Sequence, residues 1–179
     1  MYLTEKIGKD YESWQRGNLV FIGTPTGSGK TTFILDEFLN YAFQNGWKVL
    51  YLVPRTILKE QLEVELRRRL LQNPLEFEEK ATGITFMTFQ GLIKMLASSR
   101  RNLVNLHDVL VVDESHAILS DSAFNSEMWE FYEVVKNSKS QLRIFISATM
   151  DEFKELLLSD IPDKHEVEWI EVGERKVKR

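Results

Sequence analysis

The sequence has no cysteine, few prolines and no long apolar run. The absence of cysteine among 179 residues excludes disulfides and thiolate metal sites and is compatible with a reducing cytoplasm, which we expect as the location. No run approaches the ~20 apolar residues of a membrane span, so we expect no membrane partner. The formal net charge is −4, so the basic balance typical of nucleic-acid-binding domains is also absent. An acidic domain can still bind a phosphate backbone locally, through amides and a few cations.

What the sequence does contain is an alternation of strand-like and helix-like segments. Hydrophobic residues make up 43% of the chain, enough for one domain with a substantial core. The predicted strands are 19–22, 47–53, 84–87, 109–112, 142–146 and 166–172, and the predicted helices are 8–15, 30–43, 56–71, 89–97, 126–136 and 151–158. The alternation predicts an α/β fold with a mostly parallel central sheet and helices on both faces.

A glycine-rich segment at residues 24–31, TPTGSGKT, lies between the first strand and a helix. This layout is typical of a phosphate-binding loop, because Gly27 and Gly29 let backbone N–H groups approach a polyphosphate and tolerate positive φ. Lys30 adds a positive charge near the terminal phosphates, and the Thr31 hydroxyl is placed to hold Mg²⁺. Thr24 stands where the usual pattern has glycine. The predicted nucleotide-binding residues are Thr26, Gly27, Ser28, Gly29, Lys30, Thr31 and Thr32.

Two acidic residues follow the apolar strand 109–112. Asp113 is predicted to hold the same Mg²⁺ as Thr31, directly or through water, and Glu114 to orient and deprotonate the attacking water. Because each candidate motif follows a strand, and parallel sheets bind ligands at their carboxyl edge, we expect these segments to converge on one surface.

The segments TPTGSGKTT, VVDESH and SAT resemble motifs I, II and III of the superfamily 2 helicases and translocases, specifically the DExH-box group. The resemblance covers residues 18–158 and implies a three-layer RecA-like P-loop NTPase domain that uses ATP and Mg²⁺. It implies that Lys30, Asp113 and Glu114 carry ATP hydrolysis. It also implies three coupling residues between hydrolysis and nucleic-acid grip, namely His116, Ser147 and Thr149.

Two further segments resemble the nucleic-acid-facing motifs of that family. Val53-Pro54 with Leu58 and Gln61 is similar to motif Ia, although Arg55 and Thr56 stand in reversed order. Residues 85–92 are similar to the next motif. The resemblance implies a bound DNA or RNA strand contacted by Pro54, Arg55, Thr88 and Gly91.

In that family a second RecA-like domain supplies motifs IV to VI and an arginine finger. We therefore expect residues 1–179 to form one domain, with 1–17 as an N-terminal extension and 159–179 as a linker toward a second domain. Since a finger contributes ~10³–10⁵ in rate, this domain alone is expected to bind nucleotide and hydrolyse it very slowly. Two alternatives stay open, a P-loop phosphotransferase acting on a small molecule and a nucleotide-gated module without catalysis.

Several predictions concern burial. Trp14 is expected at the edge of the core, with a nucleobase stack as the alternative, and Trp129 on the apolar side of its helix. Residues 67–69, three arginines, are expected on a solvated face. His107 and His165 are expected to be structural.

Overall fold

The computed structural model describes residues 2–72, 82–98, 103–122, 126–138, 141–160 and 167–171. The predicted acidic loop at 74–82, the polar turn that carries Arg100 and Arg101, His165 and the charged tail lie wholly or largely outside these residues. Among the described helices, none combines the length and apolar character needed to cross a bilayer.

Six parallel strands form one central sheet. They are β1 Leu19–Gly23, β2 Val49–Val53, β3 Ile84–Thr88, β4 Val109–Asp113, β5 Leu142–Ser147 and β6 Val167–Glu171. Their order is β3-β2-β4-β5-β1-β6, and every pairing is parallel. The predicted α/β class and parallel sheet are confirmed.

Helices connect the strands. The α-helices are α1 Leu3–Ile7, α3 Thr56–Gln72, α4 Phe89–Ala97, α5 His116–Ser122, α6 Ser126–Asn137 and α7 Asp151–Asp160. Helix α2 begins as Lys30–Thr32, continues as a π-helical stretch Phe33–Phe38 and ends as Leu39–Gln44. Short 3₁₀ turns lie at Asp10–Ser13 and Val104–Leu106.

The sheet separates two apolar clusters, as three layers require. Alternate strand residues point to opposite faces, so Ile144 and Ile146 join the cluster beneath α1, α2 and α3, while Phe145 joins the cluster beneath α4 to α7. Trp14 is 2% exposed within the first cluster. It is therefore a core residue, and its ring is unavailable for stacking on a base.

Two local predictions are wrong, and one helix was missed. The N-terminal helix ends at Ile7, because Gly8 takes φ 54° at its C-cap, and the predicted helix 8–15 is replaced by a 3₁₀ turn. Helix α5 was not predicted. Trp129 is 49% exposed, because other residues fill the buried face of α6. Its ring instead lies tilted against the Tyr132 ring, with centroids 5.2 Å apart.

The arginine run also departs from its prediction. Arg67 and Arg68 are exposed as expected. The side chain of Arg69 is only 12% exposed, because its guanidinium is paired with Asp36 of α2 and Glu65 of α3. Helical phase turns Arg69 toward α2 while its two neighbours face solvent.

Candidate nucleotide and magnesium site

The phosphate-binding loop joins β1 to α2 with the backbone that its glycines permit. Gly27 and Gly29 have φ of 76° and 89°, in the region that L-residues rarely adopt. Thr24 is buried, and its hydroxyl donates a hydrogen bond to the Ser28 hydroxyl at 2.6 Å. The Thr24 side chain thus ties the first position of the loop to its fifth, which gives this departure from the glycine pattern a structural role.

The N-terminal segment packs against the same loop. The backbone N–H of Leu3 donates to the Ser28 carbonyl at 2.9 Å, and Leu3, Ile7 and Tyr11 are buried in the core cluster beneath α2. Residues 2–14 therefore support the loop from one side.

The predicted catalytic residues meet at the ends of β1 and β4. Lys30 Nζ lies 2.7 Å from Glu114 Oε1 and 3.6 Å from Asp113 Oδ1. Asp113 Oδ1 also accepts the Glu114 backbone N–H at 2.9 Å, and Asp113 Oδ2 accepts the Tyr51 hydroxyl at 3.0 Å. The loop lysine and the acidic pair, distant in sequence, thus form one cluster.

Glu114 has an unusual backbone. Its φ is 51°, and it is the only non-glycine residue with positive φ among those described. Such a conformation costs on the order of 1–3 kcal/mol and is concentrated at functional sites. Here it ends β4 and leaves the Glu114 carboxylate against Lys30.

The pKa values of Lys30, Asp113 and Tyr51 are shifted at this site. Burial alone would lower the pKa of Lys30, but Asp113 and Glu114 outweigh it, so the pKa of Lys30 is raised. Burial raises the pKa of Asp113, and Lys30 offsets only part of that rise. Burial, followed by the Asp113 charge, raises the pKa of Tyr51 well above its ordinary value. Lys30 therefore stays charged and Tyr51 stays a hydrogen-bond donor at neutral pH.

A cavity of about 570 Å³ opens over this cluster. Eight of the site residues predicted from the sequence line this cavity, namely Thr26, Gly27, Gly29, Lys30, Thr31, Thr32, Asp113 and Glu114. Ser28 is not among them, because its side chain is buried against Thr24. The placement of Thr31 and Asp113 around one cavity is what a shared metal ion would require.

The wall opposite the loop comes from α3 and was not predicted. It consists of Leu58, Gln61, Leu62, Glu65 and Arg69. Arg69 Nη2 donates to Asp36 Oδ2 at 3.2 Å and thereby joins α3 to α2. Hydrogen bonding from Arg68, together with Arg69, lowers the pKa of Glu65 to about 2. No short motif signals this wall; only the motif Ia resemblance touches it, at Leu58 and Gln61.

The three predicted coupling residues are linked through Ser147, which contacts both His116 and Thr149. His116 Nδ1 lies 2.9 Å from Ser147 Oγ and 3.4 Å from Glu114 Oε2. Ser147 Oγ donates to the Thr149 carbonyl and accepts the Thr149 N–H, both at 3.1 Å. A continuous polar path therefore runs from Glu114 to the end of β5, where His116 and Thr149 border a second cavity of about 940 Å³.

Pro54, Arg55 and Thr88 lie at the ends of two adjacent strands, and Gly91 lies in the first turn of α4. Val53 and Thr88 are register partners at the ends of β2 and β3, so Pro54 and Arg55 lie beside the start of α4. Thr88 Oγ1 accepts the Gly91 N–H at 3.0 Å and caps α4. A Cβ at Gly91 would lie 2.9 Å from that oxygen, so a side chain at this position would displace the Thr88 hydroxyl from its present place.

The donor set fits a magnesium ion that arrives with its nucleotide. Among the described residues, no group of three or more His, Cys, Asp or Glu side chains could hold a metal ion. Mg²⁺ is commonly held by one or two carboxylates with substrate phosphates and water. Asp113 and Thr31 supply a carboxylate and a hydroxyl around the phosphate-binding loop, which suits that mode.

Comparison with known proteins gives one family match. Residues 2–152 match the family described as "Type III restriction enzyme, res subunit".

Solved structures of helicases share the fold. The DEAD-box helicase Mss116 bound to ssRNA and UDP-BeF aligns with a TM-score of 0.68 and 17% identity, over 96% of this chain and 40% of that chain. A hypothetical ATP-dependent RNA helicase from Sulfolobus tokodaii aligns with a TM-score of 0.66 and 16% identity, over 94% and 51%. The DUF1998 helicase MrfA aligns with a TM-score of 0.59 and 16% identity, over 96% of this chain and 30% of that chain. The chain thus spans 30–51% of the length of these proteins.

Proposed function

Because the chain belongs to the family of the Type III restriction enzyme res subunit, whose fold here is that of helicase RecA-like domains, we propose that it binds Mg-ATP as half of a nucleic-acid-dependent motor. The observation that carries the proposal is the cluster of Lys30, Asp113 and Glu114 beneath the phosphate-binding loop. The proposed activity is that of a DExH-type helicase or translocase.

The side chains divide the work of ATP hydrolysis. Lys30 exchanges its Glu114 partner for the terminal phosphates, while the loop N–H groups and the start of α2 bind the remaining phosphate oxygens. Glu114, once released, accepts a proton from the attacking water. Thr31 and Asp113 would hold Mg²⁺, which when bound would neutralise charge on the phosphates.

The proposed motor needs a second domain to complete its ATP site. A second RecA-like domain would close over Lys30 and Glu114 and supply the arginine finger. A polar path runs from Glu114 through His116 and Ser147 to Thr149. This path would couple ATP hydrolysis to movement of that domain. The strand ends at Pro54, Arg55, Thr88 and Gly91 would hold the DNA or RNA backbone. This division explains why the domain alone should bind nucleotide and turn it over very slowly.

The direct test compares ATP turnover of the full-length gene product with single-stranded DNA, duplex DNA, single-stranded RNA and no nucleic acid. We expect stimulation by at least one of these, and a further ~10³–10⁵-fold loss when the chain is cut to residues 1–179. Lys30→Ala serves as the control that abolishes turnover. ATP turnover that no nucleic acid changes would refute the motor, and phosphate transfer to a metabolite would indicate a phosphotransferase.

A further inference from the structure

We propose that Tyr51 is a positioning residue of the magnesium site, whose hydroxyl orients the Asp113 carboxylate toward the metal. The inference deepens the proposed function and rests on it. Tyr51 lies at the centre of β2, within a segment of five apolar-looking residues, and the phosphate-binding and acidic motifs do not include it.

The position of Tyr51 follows from the strand order. Strand β2 pairs with β4, and Tyr51 is the register partner of Val111, two residues before Asp113. Residues two apart point to the same face of a strand, so the Tyr51 ring lies beneath the Asp113 side chain. Its hydroxyl reaches Asp113 Oδ2 at 3.0 Å.

Tyr51 is held rigidly. The side chain is fully buried, and its ring packs against Phe86 of β3 with centroids 5.6 Å apart. A buried tyrosine hydroxyl needs a hydrogen-bond partner, and here the partner is a carboxylate of the site. The packing therefore fixes where the donated hydrogen bond points.

Two donors define the plane of the Asp113 carboxylate. The Glu114 backbone N–H binds Oδ1 at 2.9 Å, and the Tyr51 hydroxyl binds Oδ2. If the Tyr51 donor is lost, the carboxylate can turn about its Cβ–Cγ bond toward Lys30, whose Nζ lies 3.6 Å from Oδ1. Groups that orient a metal ligand in this way commonly contribute 10–100-fold in metal affinity.

The experiment measures metal response separately from nucleotide binding. Binding of a fluorescent ATP analogue to the full-length protein is titrated with Mg²⁺, and repeated in EDTA. We expect Tyr51→Phe to bind the analogue in EDTA as the unmodified protein does, and to need ~10–100-fold more Mg²⁺ for half-maximal enhancement. Phenylalanine keeps the ring, so the core stays filled.

Two controls separate the possible outcomes. Tyr132→Phe is the matched control, because it removes a tyrosine hydroxyl that donates to Asp160 on the opposite face of the sheet, and it should leave the Mg²⁺ midpoint unchanged. Asp113→Asn should lose the Mg²⁺ response, and adding Tyr51→Phe should then change nothing further. An unchanged midpoint in Tyr51→Phe, with Asp113→Asn impaired, overturns the positioning role alone. Failure of the unmodified protein to bind the analogue overturns the proposed function instead.

Discussion

Lys30 Nζ and Glu114 Oε1 lie 2.7 Å apart, so the group assigned to the terminal phosphate and the group assigned to the attacking water are each other's partner. In the proposed mechanism, ATP therefore has to separate Lys30 from Glu114 before either can act. The pair keeps Lys30 charged, since the two neighbouring carboxylates raise its pKa despite burial.

Glu114→Gln tests this exchange. Glutamine keeps the shape and can still accept a hydrogen bond from Lys30, but it lacks the charge that competes with phosphate. We expect ATP affinity to be unchanged or tighter, and turnover of the full-length protein to fall ~10²–10⁴-fold, the contribution of a positioned base. Equilibrium binding and steady-state turnover give the two quantities, and Lys30→Ala should lose binding. Unchanged affinity together with unchanged turnover would show that Glu114 is not the base.

Gly29→Ala should abolish nucleotide binding. Gly29 has φ 89°, and a Cβ there would meet only the Tyr2 ring at 3.5 Å, so the cost comes from the backbone, about 1–2 kcal/mol, and from an altered loop. Gly46→Ala is the matched control, since Gly46 has φ 68°, with open space around its Cβ, at the end of α2. Both variants should lose similar stability in urea unfolding, and only Gly29→Ala should lose ATP. Equal ATP affinity in the two variants would contradict the assignment of the loop.

The sequence predicted the centre of the site because its signals are local. An apolar strand followed by TPTGSGKT or by Asp113-Glu114 is recognisable within a few residues, and the rule for parallel sheets places both at one edge. Strands β1, β2 and β4 begin with four or five consecutive apolar residues, which is the clearest pattern a sequence offers for a buried strand.

The surroundings of the site could not be predicted, because they depend on strand order and helical phase. In the sequence, Tyr51 is one residue of an apolar run that predicts a buried strand. Only the pairing of β2 with β4 brings its hydroxyl to Asp113. In the sequence, Arg69 cannot be told apart from the two arginines beside it. It alone turns inward because α3 packs on α2 and Arg69 pairs there with Asp36. Trp129 was predicted on the apolar side of α6 because apolar residues surround it in the sequence. Met128, Phe131, Tyr132 and Val135 fill the buried face of that helix instead.

Arg69→Ala should destabilise the protein more than Arg67→Ala. Arg69 holds Asp36 and Glu65 with a side chain only 12% exposed, and hydrogen bonds to charged groups contribute about 1.5–3 kcal/mol. Arg67 is exposed, and such changes stay within about 0.5 kcal/mol. Urea unfolding measures both variants. Equal losses would mean that Arg69 does not join α3 to α2.

His107 should make stability depend on pH below neutrality. Its Nδ1 lies 2.9 Å from the Leu103 carbonyl and its Nε2 3.2 Å from Thr85 Oγ1, an arrangement that a neutral ring satisfies by donating to one and accepting from the other. Burial lowers the pKa of His107 below its ordinary value of about 6.5. The unfolded chain then binds the proton more tightly than the folded chain. The contribution of His107 to the free energy of unfolding is therefore complete above pH ~6.5 and declines as pH falls toward the folded-state pKa.

Urea unfolding at pH ~7.5 and ~5 measures how far the free energy of unfolding drops between the two pH values. The drop should be smaller for His107→Gln than for the unmodified chain, by at most about 1.4 kcal/mol for each pH unit by which the pKa is shifted. Thr85→Val, which removes the partner and keeps the imidazole, should lower stability at both pH values while preserving the drop. An identical drop in His107→Gln would assign the acid sensitivity to other groups.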